Sequence, residues 1–423
     1  MAKKNIFYAQ SGGVTAVINA TACGVIETAR KHKDKLGKVY AGQQGILGAL
    51  FEELIDTSKE SAKDIAALMH TPGGAFGSCR HKLKSLETSR HEYERLIEIF
   101  KAHDIGYFFY NGGNDSQDTA NKVAEMAKQL NYDLVCIGIP KTMDNDLPLT
   151  DNCPGFGSVA KYVATSIKEA SFDVKAMKKS TQVFILEVMG RHAGWVALAG
   201  GVAALKAEDG PHLILFPEIT FKPEVFLTRV KQCVEKYGFC SIVASEGTKY
   251  ENGEFVAANS ASVDAFGHKQ LGGTALALST MIKEKLGLKN HYAIADYLQR
   301  SARHIASKTD LEQAYAVGQK AVEFALKGHQ SEMITIIRKP GARYSWTIGT
   351  APLKKVANVE KLVPRNFITK DGFHITQKAR DYLIPLITGE AFPPFKNGLP
   401  VYVELKNVLV SKKLKAFKLE KAD

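Results

Sequence analysis

The chain has 423 residues, of which 24% are charged and 45% hydrophobic, and its formal net charge is +12. The charged fraction is ordinary for a globular enzyme, and the length predicts two or more domains. A basic chain can bind nucleic acid, but it attracts small anionic substrates equally well. The lysines are spread along the chain except in residues 411–418, which we interpret as a solvated, partly frayed tail.

Nothing in the sequence predicts a membrane or nucleic-acid partner. It shows no signal peptide and no apolar stretch long enough to span a bilayer, so we expect a cytoplasmic protein. The cysteines form no CxxC pair, and several lie in apolar runs where small core residues are expected. They are Cys23, Cys79, Cys136, Cys153, Cys233 and Cys240.

The first predicted strand, turn and helix have the form of an anion site. Residues 5–9 predict a strand, residues 10–13 (Gln-Ser-Gly-Gly) a turn, and residues 15–31 a helix. This geometry presents backbone N–H groups and the positive end of a helix to a phosphate. The spacing matches neither Walker A nor GxGxxG, so an ordinary tight turn remains the alternative.

Two further glycine loops contain charged residues. Residues 71–80 hold several glycines, which let the backbone approach a ligand, and end in an arginine that can bind phosphate bidentately. A strand at 107–110 is followed by Asn-Gly-Gly-Asn-Asp-Ser and a predicted helix at 117–129, which Asp115 or Ser116 can cap. An acid beside phosphates can also hold Mg²⁺, so capping and metal binding are both open for Asp115.

The loop at 141–146, Lys-Thr-Met-Asp-Asn-Asp, places a lysine, a threonine and two aspartates in the first positions after a predicted strand. Residues 134–138 predict a buried strand, which ends near Pro140 because proline cannot donate to a sheet ladder. Ligands of open α/β sheets bind beyond the carboxyl ends of strands. Two carboxylates beside a lysine can supply a base, a metal ligand and an anion clamp. Taken alone, the stretch is equally consistent with a polar surface turn.

The remaining signals keep alternating between strand and helix. Arg191 is predicted to begin a helix, and Glu246 follows a strand in a position to accept a hydrogen bond from a hydroxyl. Beyond residue 342 the chain has proline and glycine breaks and no usable motif, so its candidate roles are to cover a sheet edge or a subunit contact. The predicted elements are a turn at 153–158, a helix at 159–178, a strand at 183–186, a helix at 192–206, strands at 213–218 and 240–244, a helix opened by residues 265–273 and ending near 285, a strand closed by residues 294–300, a helix at 309–327 and a strand at 333–338.

This alternation predicts an α/β fold with doubly wound parallel sheets. Six motifs in order, SGG at 11–13, NGGNDS at 111–116, PKTMDND at 140–146, MGR at 189–191, SEG at 245–247 and YLQR at 297–300, resemble the phosphofructokinase family. That family transfers a phosphoryl group to the 1-hydroxyl of fructose 6-phosphate.

The resemblance, which spans roughly residues 5–340, implies two Rossmann-like domains with the active site in the cleft between them, and a homodimer. Residues 1–140, joined by part of 301–340, would bind the phosphoryl donor. Residues 141–300 would bind the sugar phosphate. Residues 341–423 would form a C-terminal extension without an assigned role.

The resemblance also implies a role for individual residues. Asp144 would act as the general base, with Thr142 orienting the sugar hydroxyl and Mg²⁺ held by Asp115 and Asp146. The catalytic group would comprise Asp144, Thr142, Lys141 and Asp115. The pyrophosphate site would comprise Gly12, Arg80 and Lys141. The sugar-phosphate site would comprise Thr142, Asp144, Met189, Gly190, Arg191, Glu246, Tyr297 and Arg300.

Two positions bear on the phosphoryl donor. Members of the family that use ATP typically have glycine where this chain has Asp115 and Lys141, so the resemblance favours the pyrophosphate-dependent branch. An ATP-dependent enzyme and a catalytically silent regulatory subunit remain alternatives, although intact Asp144, Asp146 and Arg191 argue against the second.

Two departures from the family pattern affect particular contacts. Asn114 stands where the family commonly has aspartate, which weakens a metal-binding role for that position. His291 lies near the place of an arginine that often serves a neighbouring subunit's sugar site, so that contact is in doubt.

Overall fold

The computed structural model of the protein describes residues 3–257 and 271–419. The predicted loop at 265–270, including His268, therefore lies outside the described residues. The strands are β1 (Lys4–Gln10), β2 (Leu36–Gly42), β3 (Leu54–Asp56), β4 (Ile105–Gly112), β5 (Val135–Pro140), β6 (Val183–Val188), β7 (Leu213–Leu215), β8 (Cys240–Ser245), β9 (Asn290–Ile294), β10 (Glu332–Arg338), β11 (Trp346–Pro352), β12 (Phe395–Lys396) and β13 (Leu399–Pro400).

Two large sheets carry the fold. The first has seven strands in the order β11-β10-β5-β4-β1-β2-β3, parallel throughout its centre, with antiparallel β3 and β11 at its edges. The second has the order β7-β8-β6-β9 and is parallel. In both sheets the strand order reverses beside a central strand, and such a switch point opens a crevice at the carboxyl ends of the strands. The predicted α/β fold with parallel sheets is confirmed.

Helices connect the strands and cover the sheets. None of the described helices is long and apolar enough to cross a membrane. The helices are α1 (Ile18–Lys31), α2 (Ile46–Leu50), α3 (Ala62–Ala67), α4 (Arg90–Ala102), α5 (Asn114–Gln129), α6 (Phe156–Ala176), α7 (Trp195–Gly200), α8 (Pro223–Tyr237), α9 (Thr274–Leu286), α10 (Asp296–Ser301), α11 (Lys308–Leu326), α12 (Leu353–Val356) and α13 (Gln377–Leu386).

Both faces of the first sheet are buried, as strand β1 shows. Phe7 packs into an apolar cluster with Phe100 and Phe108, whereas its neighbours Ile6 and Tyr8 belong to a different cluster. Successive side chains of a strand point to opposite faces, so helices must cover both sides. A parallel sheet buried in this way explains why its strands appear in the sequence as continuous apolar runs.

Three local predictions were wrong at helix boundaries. Helix α7 begins at Trp195 and is short, so Arg191 lies in a loop before it and not at its start. Tyr297 and Arg300 do not close a strand, because β9 ends earlier and both residues lie on α10. Helix α5 begins at Asn114 with no side-chain cap, so Asp115 lies in its first turn. An acidic residue there still interacts favourably with the helix dipole.

The C-terminal tail is docked, which corrects the prediction of a frayed end. Leu414 and Phe417 pack against the first sheet's core, and Arg95 lies 5.5 Å from the Phe417 ring. Glu52 accepts a hydrogen bond of 3.0 Å from the Leu414 backbone N–H. Leu409 bridges to β3, so this part of the chain covers a sheet edge, as one of the two expectations held.

Between β11 and this tail the chain crosses to the second sheet and back. Leu353 and Val356 belong to the first sheet's core, whereas Val363 and Leu383 belong to the second sheet's core. The stretch between Val356 and Val363 therefore spans the region between the two sheets. A cleft lined in part by Asn358 and Glu360 lies in that region.

Candidate active site

A cleft of about 850 Å³ lies between the two sheets. Its walls come from the loops that follow β1, β4 and β5 on one side and β6, β8 and β9 on the other. All six loops leave the carboxyl ends of parallel strands, where ligands of this architecture bind. We call the wall built on the first sheet the donor side and the wall built on the second sheet the sugar side, after the roles that the family resemblance implies for them.

The cleft brings together the residues that the sequence singled out, with one exception. Gly190 is next to the lining residues Met189 and Arg191 but is not among them. The predicted site residues that line the cleft are Gly12, Arg80, Asp115, Lys141, Thr142, Asp144, Asp146, Met189, Arg191, Glu246, Tyr297 and Arg300.

Lys141 is fixed against the first glycine turn. It is 5% exposed, and its Nζ donates a hydrogen bond of 2.8 Å to the Gly13 carbonyl. Gly12 adopts φ +73°, and a Cβ there would lie 3.4 Å from Lys141 Nζ. Burial lowers the pKa of Lys141 to about 8, and the nearby positive charge of Arg80 contributes to the drop. The turn and the lysine together form a compact cationic pocket.

The neighbouring glycine loop is tied to the same turn. Ser78 Oγ donates a hydrogen bond of 2.7 Å to the Gly12 carbonyl, and the Gly12 N–H donates to Cys79 O at 2.9 Å. Arg80, which comes next, lines the cleft. Hydrogen bonds between the two loops thus set the position from which the Arg80 guanidinium reaches into the cleft.

Asp115 has a cationic partner that the sequence did not reveal. Lys82 Nζ lies 2.6 Å from Asp115 Oδ1, and both side chains line the cleft and are partly exposed. Exposed ion pairs are weak and exchange readily. Asp115 can therefore leave Lys82 when another cation is offered.

Asp144 and Asp146 share the centre of the cleft. The Asp144 N–H donates to Thr142 Oγ1 at 3.0 Å, which fixes the turn. Burial raises the pKa of Asp144 to about 7, and the negative charges of Asp146 and Glu246 add to the rise. Burial also raises the pKa of Asp146, whose Oδ1 is buried without a hydrogen-bond partner among the described residues. An acid that titrates near neutral pH suits a general base.

On the sugar side, Glu246 faces the cleft from the end of β8. Its Oε1 accepts a hydrogen bond of 3.3 Å from the Gly190 N–H, and Ser245 Oγ donates to Gly190 O at 2.7 Å. Burial raises the pKa of Glu246 to about 7. The Met189–Gly190–Arg191 turn is thereby held to the next strand, with Met189 and Arg191 at the cleft surface.

Arg300 reaches across the cleft from helix α10. Its guanidinium carbon lies 3.7 Å from the centre of the Tyr297 ring. Its Nη1 lies so close to the first turn that a Cβ on Gly13 would be 2.4 Å away. Arg300 therefore contacts the donor side in this structure, whereas the resemblance implies a role at the 6-phosphate of the sugar.

Several lining residues had no signal in the sequence. Asn358 and Glu360 come from the C-terminal extension, and Glu360 Oε1 lies 3.0 Å from His192 Nδ1 on the sugar side. They belong to no motif, and only the tertiary structure brings them to the cleft. Lys82 follows the glycine loop, so its position two residues after Arg80 could have suggested it.

Comparisons with known proteins agree with this architecture. A sequence profile named Phosphofructokinase matches residues 5–325. The chain is 61% identical over 420 residues to the pyrophosphate–fructose 6-phosphate 1-phosphotransferase of Halomonas elongata, covering 99% of this chain and 100% of that protein. A protein of the same name from Methylococcus capsulatus is 61% identical over 417 residues, covering 98% and 99%. The crystal structure of the pyrophosphate-dependent phosphofructokinase from Marinobacter aquaeolei has a TM-score of 0.90 at 61% identity, covering 98% and 100%.

Proposed function

Because the chain belongs to the phosphofructokinase family, we propose that it transfers a phosphoryl group reversibly from inorganic pyrophosphate to fructose 6-phosphate. The products are fructose 1,6-bisphosphate and phosphate. The observation that carries the proposal is the placement of buried Lys141 and the Asp144–Asp146 pair in one cleft between the two sheets. Relatives of that activity at 61% identity over nearly the whole chain support the choice of substrates.

Phosphoryl transfer asks the protein mainly for positioning and charge neutralisation. The 1-hydroxyl of the sugar must lose a proton as its oxygen attacks the phosphorus, and Asp144 accepts that proton. Thr142, whose Oγ1 accepts the Asp144 N–H, orients the hydroxyl. The raised pKa of Asp144 supports this role because proton transfer is most efficient near the operating pH.

The donor side binds pyrophosphate. Lys141 and Arg80 supply positive charge, and the Gly12 turn allows the donor to approach the backbone closely. Asp115 and Lys82 form an ion pair elsewhere on the donor side. The Asp115 carboxylate repels the additional phosphate of ATP, whereas Lys141 compensates for the contacts that a nucleotide would have made. Asp115 and Lys141 together set the preference for pyrophosphate.

The sugar side binds fructose 6-phosphate. Glu246 accepts a hydrogen bond from a sugar hydroxyl, and the Met189–Gly190–Arg191 turn forms the wall beside it. Tyr297 and Arg300 bind the 6-phosphate, for which the planar guanidinium of arginine is well suited. In this structure Arg300 lies against Gly13 on the donor side, so its guanidinium must turn toward the sugar side to reach the 6-phosphate.

The donor set suits Mg²⁺. Magnesium is usually bound by one or two carboxylates together with substrate phosphates, and not by an all-protein cage. Among residues 3–257 and 271–419 no cluster of three or more acidic, histidine or cysteine side chains is formed, but the unpartnered Asp146 Oδ1 offers one ligand. Asp115 offers a second when it leaves Lys82. When bound, Mg²⁺ neutralises charge on the donor oxygens.

Two further expectations belong to the same proposal. We expect the protein to act in the cytoplasm and to assemble as a homodimer. Strand β9 lies at the edge of its sheet and exposes Tyr292 and Ile294, which supports a contact between two copies of the chain at this edge. Sedimentation of the purified protein at micromolar concentration tests the dimer.

A direct assay tests the function. Purified protein is given fructose 6-phosphate, Mg²⁺ and pyrophosphate, and the fructose 1,6-bisphosphate formed is measured. The reverse reaction is started from fructose 1,6-bisphosphate and phosphate, and the fructose 6-phosphate formed is measured. We expect turnover in both directions and none without the divalent metal. Absence of turnover with pyrophosphate, or turnover only with ATP, would contradict the proposal.

A further inference from the structure

A polar junction lies directly behind the catalytic loop. At its centre is Asn145, the fully buried residue between Asp144 and Asp146. Its Nδ2 donates to Tyr382 Oη at 2.9 Å, and its Oδ1 accepts a hydrogen bond of 3.0 Å from the Cys153 N–H. The Asn145 side chain thus joins the catalytic loop to Tyr382 of the C-terminal extension and to Cys153, where the same loop ends.

Lys361, from the same extension, completes the junction. Its Nζ lies 3.4 Å from Asn145 Oδ1 and donates to Thr150 O at 3.1 Å and Asp151 O at 3.0 Å. Its backbone N–H donates to the Asp146 carbonyl at 2.7 Å. A single residue thereby binds both limbs of the loop that carries Asp144 and Asp146.

Tyr382 closes the loop from the opposite direction. Its hydroxyl accepts from Asn145 Nδ2 and donates to the Asp151 carbonyl at 2.7 Å, so its capacity as donor and acceptor is used. The Tyr382 ring also packs on Trp195, with ring centroids 5.4 Å apart. The loop is therefore attached to a side chain whose own position is fixed by core packing.

The junction holds the loop in an uncommon backbone conformation. Asn145 adopts φ +55°, in the left-handed region that few residues other than glycine occupy and that asparagine tolerates better than most. Such conformations persist where the surrounding structure holds them. The conformation of Asn145 sets the directions in which Asp144 and Asp146 leave the backbone.

The segment that carries Lys361 is anchored independently on the sugar side. Trp195 Nε1 donates to the Lys361 carbonyl at 2.8 Å. Two residues further, the Val363 N–H donates to Glu218 Oε1 at 3.0 Å, and the same oxygen accepts from the Gly194 N–H at 2.9 Å. Lys361 thus connects the catalytic loop to a rigid wall and not to a free surface segment.

We propose that Lys361 and Tyr382 are positioning residues, which act through Asn145 to hold Asp144 and Asp146 in the geometry that phosphoryl transfer requires. The C-terminal extension is then part of the catalytic apparatus. This inference rests on the proposed function for its kinetic consequences, but the structural brace can be measured separately.

Lys361→Met tests the brace, with Lys355→Met as the matched control. Methionine keeps most of the side-chain volume but leaves three acceptors without the ammonium, whereas Lys355 is an exposed lysine on α12. We expect kcat to fall by about 10- to 100-fold, since a misplacement near 1 Å can cost about 100-fold. The KM values for both substrates should change by less than about threefold. Lys361→Arg should restore part of kcat, and Lys355→Met should match the wild type.

Hydrogen exchange provides the readout that does not depend on activity. Amides of residues 141–151 should exchange faster in Lys361→Met, while amides of β1 should be unchanged. A kcat within about threefold of the wild type, unchanged exchange in the loop, or an increase of KM alone would overturn the proposal.

Tyr382→Phe is the second variant, because it removes one oxygen and leaves the packing of the ring. If Lys361→Met fails to fold, Tyr382→Phe decides by the same two measurements, with Tyr250→Phe, whose ring packs on Phe221 away from the cleft, as its control. If the wild type shows no turnover with pyrophosphate, the proposed function fails, whereas the exchange comparison still confirms or overturns the brace.

Discussion

The donor side and the sugar side of the cleft are built differently. On the donor side, Lys141 is hydrogen-bonded to Gly13 and buried, and Lys82 is paired with Asp115. On the sugar side, Tyr297 is 60% exposed, and the face of its ring is in contact with the Arg300 guanidinium. Pyrophosphate is a small anion, so the site proposed for it depends on cations fixed in advance, as Lys141 is. A sugar phosphate is larger and can order side chains around its hydroxyls and phosphate.

The largest effect is expected at Asp144, which lies between the two sides. Asp144→Asn should lower kcat by about two to four orders of magnitude, the usual contribution of a positioned base, with little change in either KM. Steady-state kinetics on the folded variant measures it. Near-normal turnover would show that another group takes the proton and that Asp144 is not the base between the two sides of the cleft.

Arg300 tests whether the two sides are separate. Arg300→Ala should raise the KM for fructose 6-phosphate by roughly 10- to 150-fold, since hydrogen bonds to charged groups contribute about 1.5–3 kcal/mol. The KM for pyrophosphate should rise much less. Arg229→Ala, which removes a surface arginine paired with Asp371, is the control. If the KM for pyrophosphate rises more, the closeness of Arg300 to Gly13 marks its working position and the assignment of sides is wrong.

Glu246 should give the sugar side a pH dependence. Its pKa is raised to about 7, and the carboxylate is the form that accepts a hydroxyl, so the acceptor is lost as the pH falls through about 7. The KM for fructose 6-phosphate should therefore rise several-fold between about pH 8 and pH 6, in keeping with about 0.5–1.5 kcal/mol for one hydrogen bond. Glu246→Gln should lack this component and reveal the remaining titration of the sugar phosphate. Identical pH profiles for the two proteins would contradict the role of Glu246.

The smallest effect is expected at Lys82. Its ion pair with Asp115 is exposed, and such pairs contribute about 0.2–1 kcal/mol. Lys82→Met should change the KM for pyrophosphate by at most about fivefold and leave the sugar KM unchanged, with Lys84→Met as the control from the same loop. A larger effect on the KM for fructose 6-phosphate would mean that Lys82 also contacts the sugar phosphate and that its assignment to the donor side alone is wrong.

The strand ends that build the cleft were accessible to sequence reasoning. Buried parallel strands are continuous apolar runs, and polar residues just after them mark the sheet edge where ligands bind. The Lys141–Asp146 loop and the Gly12 turn were found in this way. Their individual chemical roles came from the family resemblance, because a strand followed by Asp-Asn-Asp is also an ordinary turn.

The parts that sequence reasoning missed depend on distant contacts. The sequence predicts a helix from residue 192, with Arg191 at its start, but the Glu218 carboxylate accepts a hydrogen bond from the Gly194 N–H and the helix begins only at Trp195. Lys361 contacts Asn145, 216 positions away, and no local pattern marks it. The docking of the tail likewise rests on Glu52, which the sequence places far from Leu414.

The choice of phosphoryl donor is the central claim, and one comparison of kcat/KM for pyrophosphate and ATP tests it most directly. The proteins are the wild type, Asp115→Gly, Lys141→Gly and the double variant, whose effects need not add because both residues face one pocket. The wild type should use pyrophosphate with little turnover on ATP, and the double variant should lose pyrophosphate turnover and gain relative preference for ATP. A wild type that prefers ATP, or a double variant that keeps its full preference for pyrophosphate, would contradict the account.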